Sequence, residues 1–146
     1  MNPLCFIPLD PGKLNARQRE NFHFQKISAV LADYGFQTLR LFDDWNGADF
    51  IAQHIDGEQF LLVQLKGRLT FDKKYLGRNL IIAFPTTDFW YLYPHDEMLE
   101  FALAASNIGN TESWERGLYT FPSIPKWIRP RLDAYRIPKD PAEQLP

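Results

Sequence analysis

Apolar residues recur along this chain at helical spacing in one segment and at strand spacing in several others. A stripe at helical spacing predicts a helix over residues 15–34, and Gly35 directly after it favours an end there. The residues of this stripe are Phe24, Ile27, Leu31 and Tyr34. Runs rich in β-branched and aromatic residues predict strands at 36–42, 48–55, 59–66, 79–84 and 89–93, with a short one at 118–121.

The second half of the chain carries one further clear helix signal. Pro94 is followed by acidic residues, which suits the first turn of a helix that runs to about residue 105. His95 lies beside these acids and is interpreted as part of the helix cap rather than as a metal ligand. Residues 106–117 are predicted to form a loop. Six of the eleven prolines lie from Pro122 onward, so we expect an irregular tail with one short helix near 127–135.

Two of the predicted strands form a hairpin around Asp56-Gly57, a strong signal for a two-residue turn. Counting pairs outward from this turn places Asp49 directly opposite Gln64. Because side chains alternate between the faces of a strand, Gln64 and Lys66 share the face that also carries Asp49. Opposed residues have Cβ atoms about 4.5–5.5 Å apart, so we expect a carboxylate, an amide and an ammonium to meet on one patch.

The pattern of elements predicts the fold class. Both strands of the hairpin carry apolar residues on both faces, as expected for a sheet that is covered on each side. Helices before and after the strands then predict an α/β fold, in which a mixed central β-sheet with an antiparallel hairpin core is flanked by helices. The length of 146 residues favours one domain over residues 1–146, with 122–146 as a proline-rich tail packed on it or extending from it.

Bulk composition limits the function classes without choosing one. The net charge of −2 gives no global support for a nucleic-acid binder. The single cysteine, Cys5, excludes an intrachain disulfide, favours a reducing cytoplasm and is interpreted as a small apolar residue. No stretch approaches the ~20 apolar residues of a membrane span, so a membrane partner is not expected.

Local charge is more informative than net charge, because five basic residues and one acid lie between residues 66 and 78. Arg68, Lys73, Lys74 and Arg78 are candidates for binding nucleic-acid phosphates beside the patch at the open end of the hairpin. The alternative for this basic run is a solvated loop whose charges face water.

The residue types at the open end of the hairpin suit phosphodiester hydrolysis. Asp49 would be the main ligand of Mg²⁺ (or Mn²⁺), and further oxygens would come from the Gln64 side chain and the Leu65 backbone carbonyl. Lys66 would hold the attacking water or stabilise the charge of the transition state. Gly47 lies opposite Lys66 and is expected to leave space for a substrate.

This spacing resembles that of the PD-(D/E)XK nuclease superfamily. A Gly-Ala-Asp turn ending at Asp49 lies fifteen residues before Gln64, which opens the run Gln64-Leu65-Lys66. The pattern matches the variant in which glutamine replaces the second acid, as in some Mrr-type restriction enzymes and some homing endonucleases. Ala48 stands where the name-giving motif has proline. The resemblance implies a restriction-endonuclease-like fold and metal-dependent cleavage of nucleic acid, most often DNA.

Members of this superfamily often add a glutamate from the first helix, and Glu20 is the candidate here for metal binding and catalysis. At 100° per residue Glu20 lies within about 40° of the apolar stripe, so it points along the face that is expected to pack on the sheet. Gln25 is the alternative, but it lies roughly 140° away. A homodimer is compatible with the resemblance, since cutting both strands of a duplex commonly takes two sites.

The same residues also suit structural roles. Asp49 could close the turn after Asn46-Gly47, and Lys66 could be an edge-strand lysine or form a structural ion pair with Asp49. The fold could also serve as a catalytically inactive DNA-binding or protein-interaction module, or as a structural accessory protein whose aromatic tail docks a partner.

Overall fold

A six-stranded mixed sheet and a separate two-stranded sheet organise the chain. The structure is a computed structural model that describes residues 6–43 and 46–144, so Cys5 lies outside the described residues. The helices are α1 (Ala16–Asp33), α2 (His95–Ala105), α3 (Glu112–Glu115) and α4 (Arg129–Leu132). The strands are β1 (Phe36–Arg40), β2 (Phe50–His54), β3 (Phe60–Leu65), β4 (Thr70–Asp72), β5 (Leu80–Pro85), β6 (Phe89–Pro94), β7 (Leu118–Thr120) and β8 (Arg136–Pro138). The large sheet has the order β1-β2-β3-β5-β6-β8, and β4 pairs with β7 in the small one.

Helix α1 forms where the apolar stripe predicts it. Asn15 caps its first turn through a reciprocal pair of hydrogen bonds with Gln18, which satisfies N–H groups that have no partner inside the helix. The helix buries Ile27, Val30 and Leu31 against one face of the large sheet. Fully burying one such side chain contributes about 1.5–3 kcal/mol, which fixes the helix on the sheet.

The hairpin has the predicted register. Strands β2 and β3 are antiparallel, and the ladder runs from Gln53 paired with Phe60 to Phe50 paired with Val63. The counted register is therefore confirmed as far as Phe50 and Val63, one pair before Asp49 and Gln64. The regular ladder ends at Phe50, which leaves Asp49 at the point where the strand enters the preceding turn.

The connection after β3 makes the sheet mixed, as predicted. Strand β3 pairs in parallel with β5, so residues 66–79 cross over instead of turning back. The crossover contains β4, which pairs with β7, and it buries Leu69, Phe71 and Tyr75 completely or almost completely. Apolar side chains of the crossover thus face the core, while the basic residues Arg68, Lys73, Lys74 and Arg78 are exposed. The alternative that these charges only face water therefore stays open.

The remaining elements close the other face and the far edge of the sheet. Helix α2 begins directly after Pro94, as predicted, and packs Met98 and Leu99 into a second core cluster. In the proline-rich segment, Ile128 and Leu132 are fully buried in that cluster, and β8 pairs with β6. The two clusters cover both faces of the sheet. Within the described residues, no helix has the length and apolarity that crossing a membrane requires.

Candidate active site

The Asp49 carboxylate accepts hydrogen bonds from β3 at the end of the hairpin where the regular backbone pairing stops. The Asp49 N–H donates to the Val63 carbonyl at 2.8 Å, one residue short of the regular register. The Leu65 N–H, further along β3, donates to Asp49 Oδ2 at 2.7 Å. Asp49 Oδ2 also accepts a hydrogen bond from Gln64 Nε2 at 2.8 Å. The side chain is thus held in place by β3 rather than by the turn before it, and the interpretation of Asp49 as a residue that closes that turn finds no hydrogen bond among the described residues.

The Gln64 side chain joins two of the oxygens proposed as metal ligands. Its Nε2 donates to Asp49 Oδ2 at 2.8 Å and to the Leu65 carbonyl at 3.1 Å. The amide nitrogen and oxygen of glutamine have nearly the same shape, so turning the amide plane over would present Oε1 to the same position. Gln64 therefore lies in the right place for a ligand, with its donor end facing the other two oxygens.

Burial makes the Asp49 carboxylate unusually easy to protonate. Desolvation raises the pKa of Asp49 above its ordinary value, and the negative charge of Glu20 raises it further. The Leu65 hydrogen bond and the positive charges of Lys66 and Arg40 act in the opposite direction but do not compensate. A bound cation would therefore stabilise the ionised form of Asp49 more than that of an exposed carboxylate.

Glu20 lies at the same cleft, held by a neighbour that sequence reasoning did not single out. Its Oε1 accepts from Arg40 Nη2 at 3.1 Å, and its side chain keeps 48% of its exposure. Arg40 also donates to Asn21 and lies over the Phe24 ring at 5.2 Å. The sequence contains only a weak signal for the contact between Glu20 and Arg40: an arginine ends the strand that follows the helix carrying the glutamate.

Lys66 follows β3, which is a central strand between β2 and β5, so the interpretation of Lys66 as an edge-strand lysine is wrong. Its N–H donates to the Ala83 carbonyl at 2.9 Å, and its Nζ lies 5.3 Å from the centroid of the Tyr75 ring. Among the described residues no carboxylate lies within 4.0 Å of Nζ, so a direct ion pair with Asp49 is not formed. Burial, and then the charge of Lys74, lower the pKa of Lys66.

Gly47, two residues before Asp49, packs closely against its neighbours. Gly47 has φ +85°, and a Cβ built on it would lie 2.9 Å from Tyr75 Cδ1 and 3.1 Å from Leu80 Cδ1. Gly47 also lines the cleft that contains Asp49 and Lys66, and the expectation that it leaves space for a substrate stays a prediction. The space where a Cβ of Gly47 would lie is filled by the Tyr75 ring, whose other contacts include both Lys66 and Lys74.

A cleft of about 540 Å³ brings most of the predicted site residues together. They are Glu20, Asp49, Gln64, Lys66, Lys74 and Arg78. Two predicted phosphate-binding residues lie outside this cleft. Arg68 lines a neighbouring groove, and Lys73 Nζ lies 5.1 Å from the centroid of the Trp114 ring.

Two residues whose role is not predicted by the sequence, His95 and Asp96, hold the basic crossover in position. His95 is completely buried, and its Nε2 accepts the Asp72 N–H at 3.1 Å. Its Nδ1 lies 2.8 Å from Asp96 Oδ1, and Asp96 Oδ2 accepts the Gly77 N–H at 2.9 Å. The interpretation of His95 as a helix cap is wrong, since its ring bonds the crossover and makes no capping hydrogen bond. In the sequence, only the adjacency of His95 and Asp96 pointed to this network of hydrogen bonds.

The oxygen atoms at the cleft are of the type that a hard divalent cation prefers as ligands. Asp49, the Leu65 carbonyl, the Gln64 amide and Glu20 all offer oxygen, which Mg²⁺ and Mn²⁺ prefer. Across the described part of the chain no group of three or more His, Cys, Asp or Glu side chains is arranged to hold a metal ion. A metal site here would accordingly rest on two carboxylates, with amide and backbone oxygens completing it.

The fold is shared with solved structures, although the sequence likeness is low. No protein-family model and no curated protein matches this chain. The chain is similar to the structure of a bacterial homing endonuclease, with a TM-score of 0.50 and 15% identity over 89% of each chain. It is also similar to Archaeoglobus fulgidus Hjc, a Holliday junction resolvase from an archaeal hyperthermophile, with a TM-score of 0.41 and 15% identity over 51% of this chain and 76% of that chain. The homing endonuclease shows the fold alone, and the predicted fold class is confirmed.

Proposed function

We propose that this protein is a metal-dependent nuclease of the PD-(D/E)XK type that hydrolyses phosphodiester bonds of DNA. The observation that carries the proposal is the contact of the Asp49 carboxylate with the Gln64 amide at 2.8 Å, in a cleft that also contains Lys66 and Glu20. The shared fold with a bacterial homing endonuclease adds support. Glutamine in place of the second acid makes this the variant with one carboxylate on the hairpin.

Four groups would hold the metal ion. They are the carboxylates of Asp49 and Glu20, the Leu65 carbonyl, and Gln64 Oε1 after the amide turns over. When bound, Mg²⁺ or Mn²⁺ would polarise a phosphoryl oxygen and lower the pKa of a bound water. Glu20 would exchange part of its contact with Arg40 for this role, and Arg40 would then be available to a phosphate.

Lys66 would act on the reacting atoms themselves. Its ammonium would donate hydrogen bonds to the attacking water or to the phosphoryl oxygen on which negative charge develops. Contact with the Tyr75 ring holds Nζ without a competing carboxylate within 4.0 Å among the described residues. Lys74 and Arg78 line the same cleft and would bind phosphates next to the scissile bond.

The test is Mg²⁺-dependent nicking of supercoiled plasmid. Asp49→Ala and Lys66→Ala should each abolish nicking while the circular dichroism spectrum and melting temperature show a folded protein. Lys26→Ala removes a lysine that lies over Phe22 on α1, away from the cleft, and should nick like the wild type. Nicking by both folded site variants at the wild-type rate would contradict the proposal.

A catalytically inactive DNA-binding or protein-interaction module is the second candidate. One observation favours it: Asp49 Oδ2 and the Leu65 carbonyl are both already satisfied by Gln64 Nε2. A metal titration separates the two candidates. Site-specific Mg²⁺ or Mn²⁺ binding that is lost in Asp49→Ala supports the nuclease, whereas DNA binding that ignores metal and Asp49 supports the module. Sedimentation of the active species would test whether it is a homodimer.

A further inference from the structure

A second groove, of about 460 Å³, shares Lys66 with the cleft. Helix α1 contributes Arg19 and His23 to it, and the crossover contributes Lys66 and Arg68. None of the residues that line it is acidic. We call it the basic groove, defined by Arg19, His23, Lys66 and Arg68.

The positive side chains of the basic groove form no ion pair among the described residues, although the negative charges of Asp72 and Asp49 act on Lys66 from farther away. Among the described residues, Arg19, Lys66 and Arg68 have no carboxylate within 4.0 Å, and Arg19 Nη2 donates instead to the Leu14 carbonyl at 3.0 Å. The chain as a whole has 18 acidic and 16 basic residues, so a purely basic groove runs against its overall balance. An anion bound in the groove would be attracted by each of these charges.

The basic groove is continuous with the candidate active site. Lys66 lines both the groove and the cleft that contains Asp49. A shallower depression, lined by Arg19 and His23 as well as by Asp49 and Gln64, joins the two. An extended anion could therefore run from Lys74 and Arg78 in the cleft, past Asp49 and Lys66, to Arg19 and Arg68.

We propose that the basic groove binds the phosphodiester backbone of the same nucleic-acid strand whose scissile bond lies at Asp49, on the far side of that bond from Lys74 and Arg78. This inference rests on the proposed function and extends it by assigning Arg19 and His23 to substrate binding. Arg19 and Arg68 each contact a phosphate. His23, whose pKa is lowered by burial and then by the charge of Arg19, donates a hydrogen bond as a neutral ring.

The test measures binding without metal, so that cleavage does not enter the result. A fluorescein-labelled DNA duplex is titrated with protein in EDTA, and anisotropy is followed over a series of salt concentrations. Each lost phosphate contact reduces the slope of log affinity against log salt by about 0.9. We therefore expect Arg19→Ala and Arg68→Ala to bind roughly eightfold more weakly near 0.1 M salt, and the double variant to lose two contacts.

Arg131→Ala is the matched control, because Arg131 is exposed, lies over the Phe101 ring and does not line the groove or the cleft. It removes the same charge and should change the slope little. If Arg19→Ala and Arg68→Ala bind like Arg131→Ala while the wild type binds and cleaves, the groove inference fails alone. If the wild type binds DNA through the groove but nicks no plasmid with Mg²⁺, the nuclease proposal fails and the groove stands. A wild type that binds no DNA overturns both.

Discussion

The two ends of the β2–β3 hairpin each carry an aspartate that accepts hydrogen bonds from residues later in the hairpin, yet the two aspartates differ in their surroundings. At the turn, Asp56 accepts two backbone N–H groups and the Gln59 side chain, and it is exposed. At the open end, Asp49 accepts the Leu65 N–H and the Gln64 amide, and it is half-buried. Asp56 thus accepts one backbone hydrogen bond more than Asp49 and is also more exposed, so hydrogen bonding and burial both enter the contrast.

The environment reverses the direction of the pKa shift. Hydrogen bonds from Glu58 and Gln59 lower the pKa of Asp56 because little desolvation opposes them. Burial raises the pKa of Asp49 despite the Leu65 hydrogen bond, and Glu20 adds to the rise. Asp56 is thus stabilised as an anion by the fold itself, which is typical of a structural turn. Asp49 lacks that stabilisation, and a bound cation would supply it.

The largest expected difference between the two ends is in metal affinity. Asp49→Asn removes one of two carboxylates and should weaken Mg²⁺ or Mn²⁺ binding on the order of 100-fold or more, while Asp56→Asn should leave it unchanged. Isothermal titration calorimetry of both variants measures this directly. Equal metal affinity in the two variants would contradict the proposal that Asp49 binds the metal ion.

Each end also has a glycine with positive φ, and the two should differ in their effect on stability. Gly47 (φ +85°) packs against Tyr75, whereas a Cβ on Gly57 (φ +76°) would meet nothing within 4 Å. Gly57→Ala should cost about 1–2 kcal/mol from the backbone conformation alone. Gly47→Ala adds a clash with a buried ring, so we expect about 2–5 kcal/mol in total.

Urea unfolding of the two alanine variants measures these free energies, and plasmid nicking shows whether Asp49 is displaced. Because Tyr75 also contacts Lys66, Gly47→Ala should lower activity beyond its effect on stability. Gly57→Ala should be as active as the wild type at a temperature where both are folded. Equal destabilisation by the two substitutions would show that the Tyr75 ring moves aside at no cost and does not fix the position of Gly47.

The contrast also explains which parts of the molecule could be predicted from the sequence. The turn residues Asp56-Gly57 are local, and a strand has period two, so the register of β2 and β3 as far as Phe50 and Val63 followed from counting. The contact of Asp49 with Gln64 beyond that point is made by the side chains. Glu20 could be placed on the sheet side of α1 by the same kind of counting. The confirmed elements are those whose signals lie within a few neighbouring residues.

The remaining parts depend on contacts between distant segments. The three-residue strand β4 exists because it pairs with β7, and residues 70 and 120, which face each other, are fifty positions apart in sequence. Likewise, nothing near His95 shows that its ring accepts the Asp72 N–H. The packing of Tyr75 against Gly47 also joins two loops. Such pairings have no periodic pattern in the sequence that would reveal them.

A smaller effect is expected from restoring the second acid on the hairpin. Gln64→Glu places a carboxylate beside Asp49 and should raise Mg²⁺ affinity by roughly tenfold if Gln64 lies at a ligand position. Without metal, the added charge should raise the pKa of Asp49 further and lower stability at neutral pH. Calorimetry and thermal unfolding with and without Mg²⁺ test both expectations, and Gln59→Glu at the turn end is the control. Unchanged affinity in Gln64→Glu would place the metal, if any, away from Gln64.

The smallest effect, and the most direct check of the contrast, is the pH dependence of stability without metal. A pKa raised in the folded state means that the folded protein binds more protons than the unfolded one above the ordinary Asp value of 3.8. Wild type should therefore lose stability relative to Asp49→Asn as the pH rises from 3.8 through the raised pKa. For Asp56 the pKa is lowered from 3.8, so wild type should gain stability relative to Asp56→Asn as the pH rises toward that value, and keep the gain above it. Melting temperatures of the three proteins over an acid pH series give the two slopes. Opposite signs follow only if burial dominates at one end of the hairpin and hydrogen bonding at the other, and slopes of the same sign would mean that Asp49 is an ordinary structural carboxylate.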